Sequence, residues 1–396
     1  MGITTRDAAA SPVYHPGATV TRRTGRIASL DIARGIIMVL MAIDHVRVYS
    51  GVPAGGPTFG VFFTRWVTNF SAPGFVLLAG TGAYLYGLKA GGKQAVARYL
   101  FVRGLLLIAL ELTVLRLAWT FNLDFAHYNL AGVLWMLGWC MILMSGLVWL
   151  PTAAIGVIGI AVVVGQSAFA AIGRALPHAA GAFLYNGGEA TVAGLPILVL
   201  YVIVPWVGVM AIGYWFGTVM TRDDATRRTL CMRIGLAATA AFVVAATALA
   251  VAQPASGAAP PMLFRILAQR KYPASVLFLL MTLGPIIAFL PAAERMRGPI
   301  ANVLSTFGRV PLFFYVLHIP LIHATALLVS LIHAGRIDPW LFGNHPLAPP
   351  RVPAGYEWSL ALLYLVFAVV VALLYVPCRW YASARARDET GLLRYF

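Results

Sequence analysis

The sequence predicts an all-α fold: a polytopic transmembrane bundle of about ten spanning helices with both termini in the cytoplasm. Three observations lead there. First, 60% of the 396 residues are hydrophobic and only 11% are charged. An ordinary soluble domain is about 25% charged, and no water-soluble chain of this length could hide so much apolar surface. Second, the apolar residues fall in nearly uncharged runs of about 20, long enough as helices to cross a hydrocarbon core of roughly 30 Å. Open strands would leave backbone groups unpaired in lipid, and the alternating pattern of a membrane barrel is absent. Third, Lys and Arg collect at alternate ends of these runs.

Turn residues and charges divide the chain into spans near 28–50, 60–88, 96–119, 130–150, 152–172, 195–220, 229–252, 274–293, 303–333 and 358–381. The second is broken at Pro73-Gly74. The ninth is too long for one straight crossing, so Gly308, Pro311 and Pro320 kink or divide it. One side gathers Arg6, Arg22, Arg23 and Arg26; Lys89, Lys93, Arg98 and Arg103; Arg222, Arg227, Arg228 and Arg233; Arg295, Arg297 and Arg309; and Arg379, Arg385, Arg387 and Arg394. The other has Arg174, Arg265, Arg270, Lys271, Arg336 and Arg351. The richer side is cytoplasmic by the positive-inside rule.

Residues 1–26 then form a polar cytoplasmic arm without the apolar core of a cleavable signal peptide, 27–382 a single transmembrane domain and 383–396 a cytoplasmic tail. No internal repeat is readable. The net charge of +16 comes in short clusters beside apolar runs instead of one stripe, which fits a lipid bilayer with anionic head groups and not nucleic acid. Cys140, Cys231 and Cys378 lie far apart in or beside apolar segments, implying neither a disulfide framework nor a zinc site.

Ionisable residues inside spanning helices are costly and mark functional candidates. They concentrate in the first helix (Asp31, Arg34, Asp44, His45, Arg47), the second (Arg65), the third (Glu111, Arg116) and the ninth (His318, His323). Asp31 with Arg34 and Asp44 with Arg47 are i,i+3 pairs, which either neutralise one another locally or serve a site. Arg34 and His45 share a face roughly 16 Å apart along the axis. His45 is the residue type suited to proton transfer near neutral pH, tuned by Asp44 or another carboxylate; the plainer reading is an interfacial hydrogen bond. No His-x3-His or His-x2-Glu pair accompanies it, so no metal is expected.

Arg65 and Asn69 lie on one face, with Arg65 able to neutralise a phosphate or Asp44, and Trp66 reads first as an interface anchor. Glu111 and Arg116 are five residues apart and need partners on other helices, whether for structure or catalysis. Tyr315 and His318 share a face of the ninth helix near Pro320. No Walker loop, GxGxxG after a strand, GxSxG or HExxH is present, which argues against primary active transport.

The run Arg26-Ile27-Ala28-Ser29-Leu30-Asp31-Ile32-Ala33-Arg34-Gly35, continuing to Asp44-His45-Val46-Arg47, resembles the first helix of the bacterial relatives of heparan-α-glucosaminide N-acetyltransferase. Phe62 to Gly80, through Arg65-Trp66-Val67-Thr68-Asn69 and Ala72-Pro73-Gly74, is similar to that family's second helix, and Pro311 to His318 to a segment near its end. The resemblance implies a membrane acyltransferase using cytosolic acetyl-CoA, with His45 as general base or acyl acceptor and Arg34 at the CoA end. Residues 51–60 contain no histidine, where heparan-processing members carry one, so the implication for His45 rests on position and does not extend to heparan.

The expected function is thus transfer of an acetyl or similar group from acyl-CoA to a hydroxyl or amine of an outer-face sugar or lipid-linked glycan, in a bacterial inner membrane. Catalysis is expected of His45, Asp44 and Glu111, and binding of Arg34, Arg65, Asn69, Tyr315 and His318; a homodimer is compatible with this. The rival expectation is a secondary transporter or permease whose Asp, His and Arg residues relay protons. A non-enzymatic scaffold is a third.

Overall fold

The structure, a computed structural model, describes residues 27–56, 58–252, 260–343, 352–388 and 393. The expected N-terminal arm 1–26 lies outside the described residues. The chain is mostly helical, 76%, with few strands.

Helix α1 (Ala28–Ser50) ends at Gly51, whose φ of 75° is the left-handed conformation that closes a helix cheaply only at glycine. The second apolar run is α2 (Phe59–Trp66), a 3₁₀ turn (Val67–Phe70) and α3 (Ser71–Gly87). Its break falls at Val67–Phe70 and not at Pro73-Gly74 as expected, because Pro73 sits in the first turn of α3, where a missing N–H costs nothing. The third run is α4 (Lys93–Leu110), a π-helical turn (Glu111–Leu115) and α5 (Arg116–Thr120).

There follow β1 (Asn129–Ala131), α6 (Val133–Leu147), α7 (Thr152–Val164), α8 (Gln166–Ala175), α9 (His178–Gly181), β2 (Gly188–Val192), β3 (Leu195–Val199), α10 (Trp206–Met220), α11 (Asp224–Ala252), α12 (Met262–Leu267), α13 (Val276–Ala293), α14 (Pro299–Arg309), α15 (Pro311–Ala334) and α16 (Leu360–Ala386).

Two expectations are corrected here. The fold is not purely helical: β1, β3 and β2 form a sheet in that order, with β1 parallel and β2 antiparallel to β3. Ala193 and Gly194, with φ of 50° and 81°, supply the two positive angles a tight hairpin turn requires. The expected span at 195–220 therefore begins as a strand, and only Trp206–Met220 is helix. The expected span at 152–172 is also not straight, since α7 and α8 are bent by 69° at Gly165. The ninth run divides at Val310, and Pro311 opens α15 at a position where proline is tolerated.

Among the described residues four helices, α11, α13, α15 and α16, are long and apolar enough to cross a membrane, and a fifth span arises if α7 and α8 are taken together. Helix α1 has the length, 23 residues, but carries Asp31, Arg34, Asp44 and Arg47.

Helices meet through small residues, as expected where apolar area alone provides no drive for association in lipid. A Cβ added to Gly104 of α4 would lie 2.6 Å from the carbonyl oxygen of Gly138 in α6, and the reverse holds equally. Helix α14 lies against the start of α1, with Gly308 against the Asp31 backbone and Gly35 against Leu304. Residues of α1, α3, α4, α6, α14, α15 and α16 line one cavity.

Candidate active site

Along α1 the charges form two groups. At its start the Arg34 guanidinium donates to Asp31 Oδ1 at 3.1 Å, and its other nitrogen reaches the Leu78 carbonyl of α3 at 3.5 Å. At its end Asp44 is shared: Arg47 Nε lies 2.9 Å from one carboxylate oxygen and Arg65 Nη1 3.5 Å from the other. The 3₁₀ turn after α2 makes the second contact possible. It folds Thr68 and Asn69 back so that Arg65 Nη1 donates to Thr68 Oγ1 at 2.8 Å and to Asn69 Oδ1 at 3.3 Å. Asp44 is thus occupied by two arginines.

His45 faces inward. Its Nδ1 lies 2.6 Å from Nε2 of His318 on α15, with the ring centroids 4.8 Å apart and the ring planes inclined by 25°. Trp119 stands edge-on to it at 5.0 Å and Tyr315 at 6.3 Å. Nδ1 of His318 is 2.5 Å from the Tyr315 carbonyl oxygen and 3.2 Å from that of Phe314. His323, a turn further on, donates from Nδ1 to the Ala118 carbonyl at 3.1 Å and is stacked between Tyr49 and Phe121, a packed position.

A cavity of about 250 Å³ opens beside the Arg34 end of α1. Arg34, Arg103, Arg309 and Arg385 line it together with Met38, Phe75, Leu78, Leu100, Leu107, Leu134, Leu137, Met141 and Leu312, and it reaches Tyr315. The four guanidinium groups come from α1, α4, α14 and α16, and Arg385 also donates to the Arg309 carbonyl at 3.0 Å. An arginine-lined, largely apolar cavity suits a molecule with a polyanionic head and a thin neutral arm.

Glu111 sits where the π-helical turn swings it toward α6. Its Oε2 accepts from the Leu134 and Trp135 amides at 2.7 and 3.3 Å, satisfying two of the otherwise orphaned N–H groups at the start of that helix. Gly132 makes room for it, since a Cβ there would be 2.7 Å from Oε1. Arg116 is buried and organises the segment after α5. It donates to the carbonyls of Asn122 and Asp124 and to Asn122 Oδ1, under the Phe125 ring. Asp124, hydrogen-bonded there to His127, is held below the usual carboxylate range.

Sequence reasoning missed Lys271, Tyr272 and Tyr201. Lys271, only 9% exposed, has its ammonium 5.3 Å from the Tyr272 ring and 5.9 Å from the Tyr201 ring. Burial pulls it below the ordinary lysine range. No carboxylate lies within ion-pair distance of it among the described residues. The β1–β3 pairing delivers Tyr201, whose amide donates to the Ala131 carbonyl. A basic residue in a loop reads as an ordinary topology signal, so nothing in the sequence pointed inward. With Arg47, Arg65 and Asp44, Lys271 completes the set of charges acting on His45. Among the described residues no group of three His, Cys, Asp or Glu could hold a metal ion.

A model of the heparan-alpha-glucosaminide N-acetyltransferase catalytic family matches residues 26–251. The chain belongs to this family. Comparison with curated proteins finds no match. Membership places the chain in a family of membrane acetyltransferases that use acetyl-CoA as donor. The N-acetyltransferase match takes in Arg34, Asp44, His45, Arg65, Asn69 and Glu111. Lys271, Tyr315 and His318 lie beyond it, so part of the surroundings of His45 comes from outside the matched catalytic region.

Proposed function

We propose that this chain is a membrane-bound acetyltransferase that carries an acetyl group from cytosolic acetyl-CoA to a hydroxyl or amine of an outer-face sugar or lipid-linked glycan. The observation that carries this reading is the cavity itself, lined by four arginines and by Tyr315, which stands edge-on to His45. The nucleotide phosphates of the donor sit on Arg34, Arg103, Arg309 and Arg385. Its pantetheine arm runs along Met38, Phe75 and Leu78, and the thioester arrives beside Tyr315.

The acceptor enters from the Asp44 end of α1, where Arg65, Asn69 and Lys271 offer donors. His45 removes the proton of the acceptor O–H or N–H as its lone pair attacks the thioester carbon. The C–S bond then breaks, and the departing thiolate takes the proton from His45 to leave as CoA. Arg65 and Asn69 favour the transient oxyanion, and the Asp44 charge favours the transient imidazolium. Glu111 holds α6, whose Leu134 and Leu137 form one wall of the donor cavity.

This chemistry goes with about ten crossings, a single membrane domain over 27–382, termini in the cytoplasm and a bacterial inner membrane, the arrangement that the Lys and Arg bias favours. The test is product formation in lipid nanodiscs supplied with acetyl-CoA and an amino-sugar acceptor, read by mass spectrometry. Acetylated acceptor is the expected result. Proton-coupled solute movement in vesicles, without acetyl-CoA binding, would replace this reading with transport.

A further inference from the structure

The two paired imidazoles, half-buried His45 on α1 and buried His318 on α15, leave little freedom in where their protons sit. Carbonyl oxygens only accept, so the contact of His318 Nδ1 with the Tyr315 and Phe314 carbonyls at 2.5 and 3.2 Å puts a proton on that nitrogen. His318 is wholly buried, and no carboxylate lies within ion-pair distance of either ring among the described residues. Asp44, next to His45 on α1, is already taken by Arg47 at 2.9 Å and Arg65 at 3.5 Å. An imidazolium in such a place is expensive, so the resting pair is neutral.

A neutral ring carries one N–H, which leaves His318 Nε2 as a bare acceptor. The proton in the 2.6 Å contact therefore belongs to His45 Nδ1. It follows that His45 Nε2 holds a lone pair.

We propose that His318 is the positioning residue of this site: anchored on the Tyr315 carbonyl, it fixes His45 as the Nδ1–H tautomer and leaves Nε2 as the base. The consequence for catalysis rests on the acetyl-transfer reading; the tautomer does not. The arrangement does the work of the carboxylate in a Ser-His-Asp triad with a neutral partner. When Nε2 takes the acceptor proton, the Nδ1–H bond to His318 becomes charge-assisted and shares the positive charge. Trp119, edge-on at 5.0 Å, and Phe314, stacked on His318 at 5.5 Å, keep both rings from turning.

The test is ¹⁵N NMR of histidine-labelled protein in nanodiscs, with the His45 and His318 signals assigned by their loss in His45→Asn and His318→Phe. Both residues should be protonated at Nδ1 and bare at Nε2. In His318→Phe, His45 loses the acceptor that holds its proton and should shift toward the Nε2–H form. The kcat of acetyl transfer should fall by about two to four orders of magnitude, as when a triad base is left in the wrong tautomer. His318→Gln, whose side-chain oxygen can accept from Nδ1–H, should keep the tautomer and recover part of kcat. An Nε2–H form of His45 in the unaltered protein overturns the proposal, whether or not the variants fold. So does a His45 tautomer indifferent to His318→Phe. The expected tautomer in a protein that transfers no acetyl group would instead overturn the proposed function.

Discussion

A guanidinium at the mouth of an apolar cavity binds an anion through charge-assisted hydrogen bonds worth about 1.5–3 kcal/mol each. Arg34→Ala should therefore weaken acetyl-CoA binding by about 10- to 100-fold in an equilibrium titration, with a smaller effect at low salt for Arg309→Ala if the remaining arginines compensate. His45→Ala should leave donor binding in place, because the imidazole is separated from the cavity by Tyr315. Residues of this kind were legible in the sequence, since a charge inside an apolar run stands out and helical periodicity puts Arg34 and His45 on one face. The pairing of His45 with His318 was not, because 273 residues separate them and no local pattern encodes which helices meet. Lys271 was hidden for the opposite reason: it lies in a polar loop, and only the fold turns it inward.

At the scale of elements, Glu111 and Gly138 decide how α4 and α6 meet. Replacing Glu111 with Ala leaves the Leu134 and Trp135 amides without an acceptor, and a lost cap of this kind costs about 1–3 kcal/mol. A thermal melt in detergent should show a clear drop for Glu111→Ala. Glu111→Gln, which can still accept through its amide oxygen, should lose less. Gly138→Leu should be severe, since even a Cβ would be 2.6 Å from the Gly104 carbonyl; overpacking costs typically about 1–3 kcal/mol, occasionally more. Unaltered melting of Gly138→Leu would contradict the close packing of these two helices. The helical runs themselves were readable from hydropathy. Their interruptions were not: the 3₁₀ turn at Val67–Phe70 and the π-helical turn at Glu111–Leu115 coincide with the contacts that Arg65 makes with Asp44 and Glu111 makes with the start of α6. The hairpin of β2 and β3 was overridden by the apolar character of Leu195–Val199, which hydropathy alone cannot tell from the start of a helix.

For the molecule as a whole, charge at one face ties the ends of helices together. Arg227 Nε and Arg228 Nε of α11 lie 2.7 and 2.9 Å from the two oxygens of Glu294, just past α13. Burial alone would push the Glu294 carboxyl up, but its hydrogen bonds to the two arginines outweigh that and hold it below the usual range. A carboxylate with a lowered folded value stabilises fully above its ordinary pKa and loses that contribution as pH falls through the lowered one. Glu294→Gln should therefore melt below the unaltered protein at pH 7, with the gap closing in acid. A gap that does not depend on pH would place the effect elsewhere.

The most direct test is the release of free CoA thiol from acetyl-CoA in nanodiscs, measured alongside acetyl-CoA binding, for the unaltered protein, His45→Ala and Arg34→Ala. The prediction is acceptor-dependent release by the unaltered protein, no release by His45→Ala although it still binds donor, and weakened binding by Arg34→Ala. Release by His45→Ala at the unaltered rate, or folded protein that binds no acetyl-CoA, would contradict it.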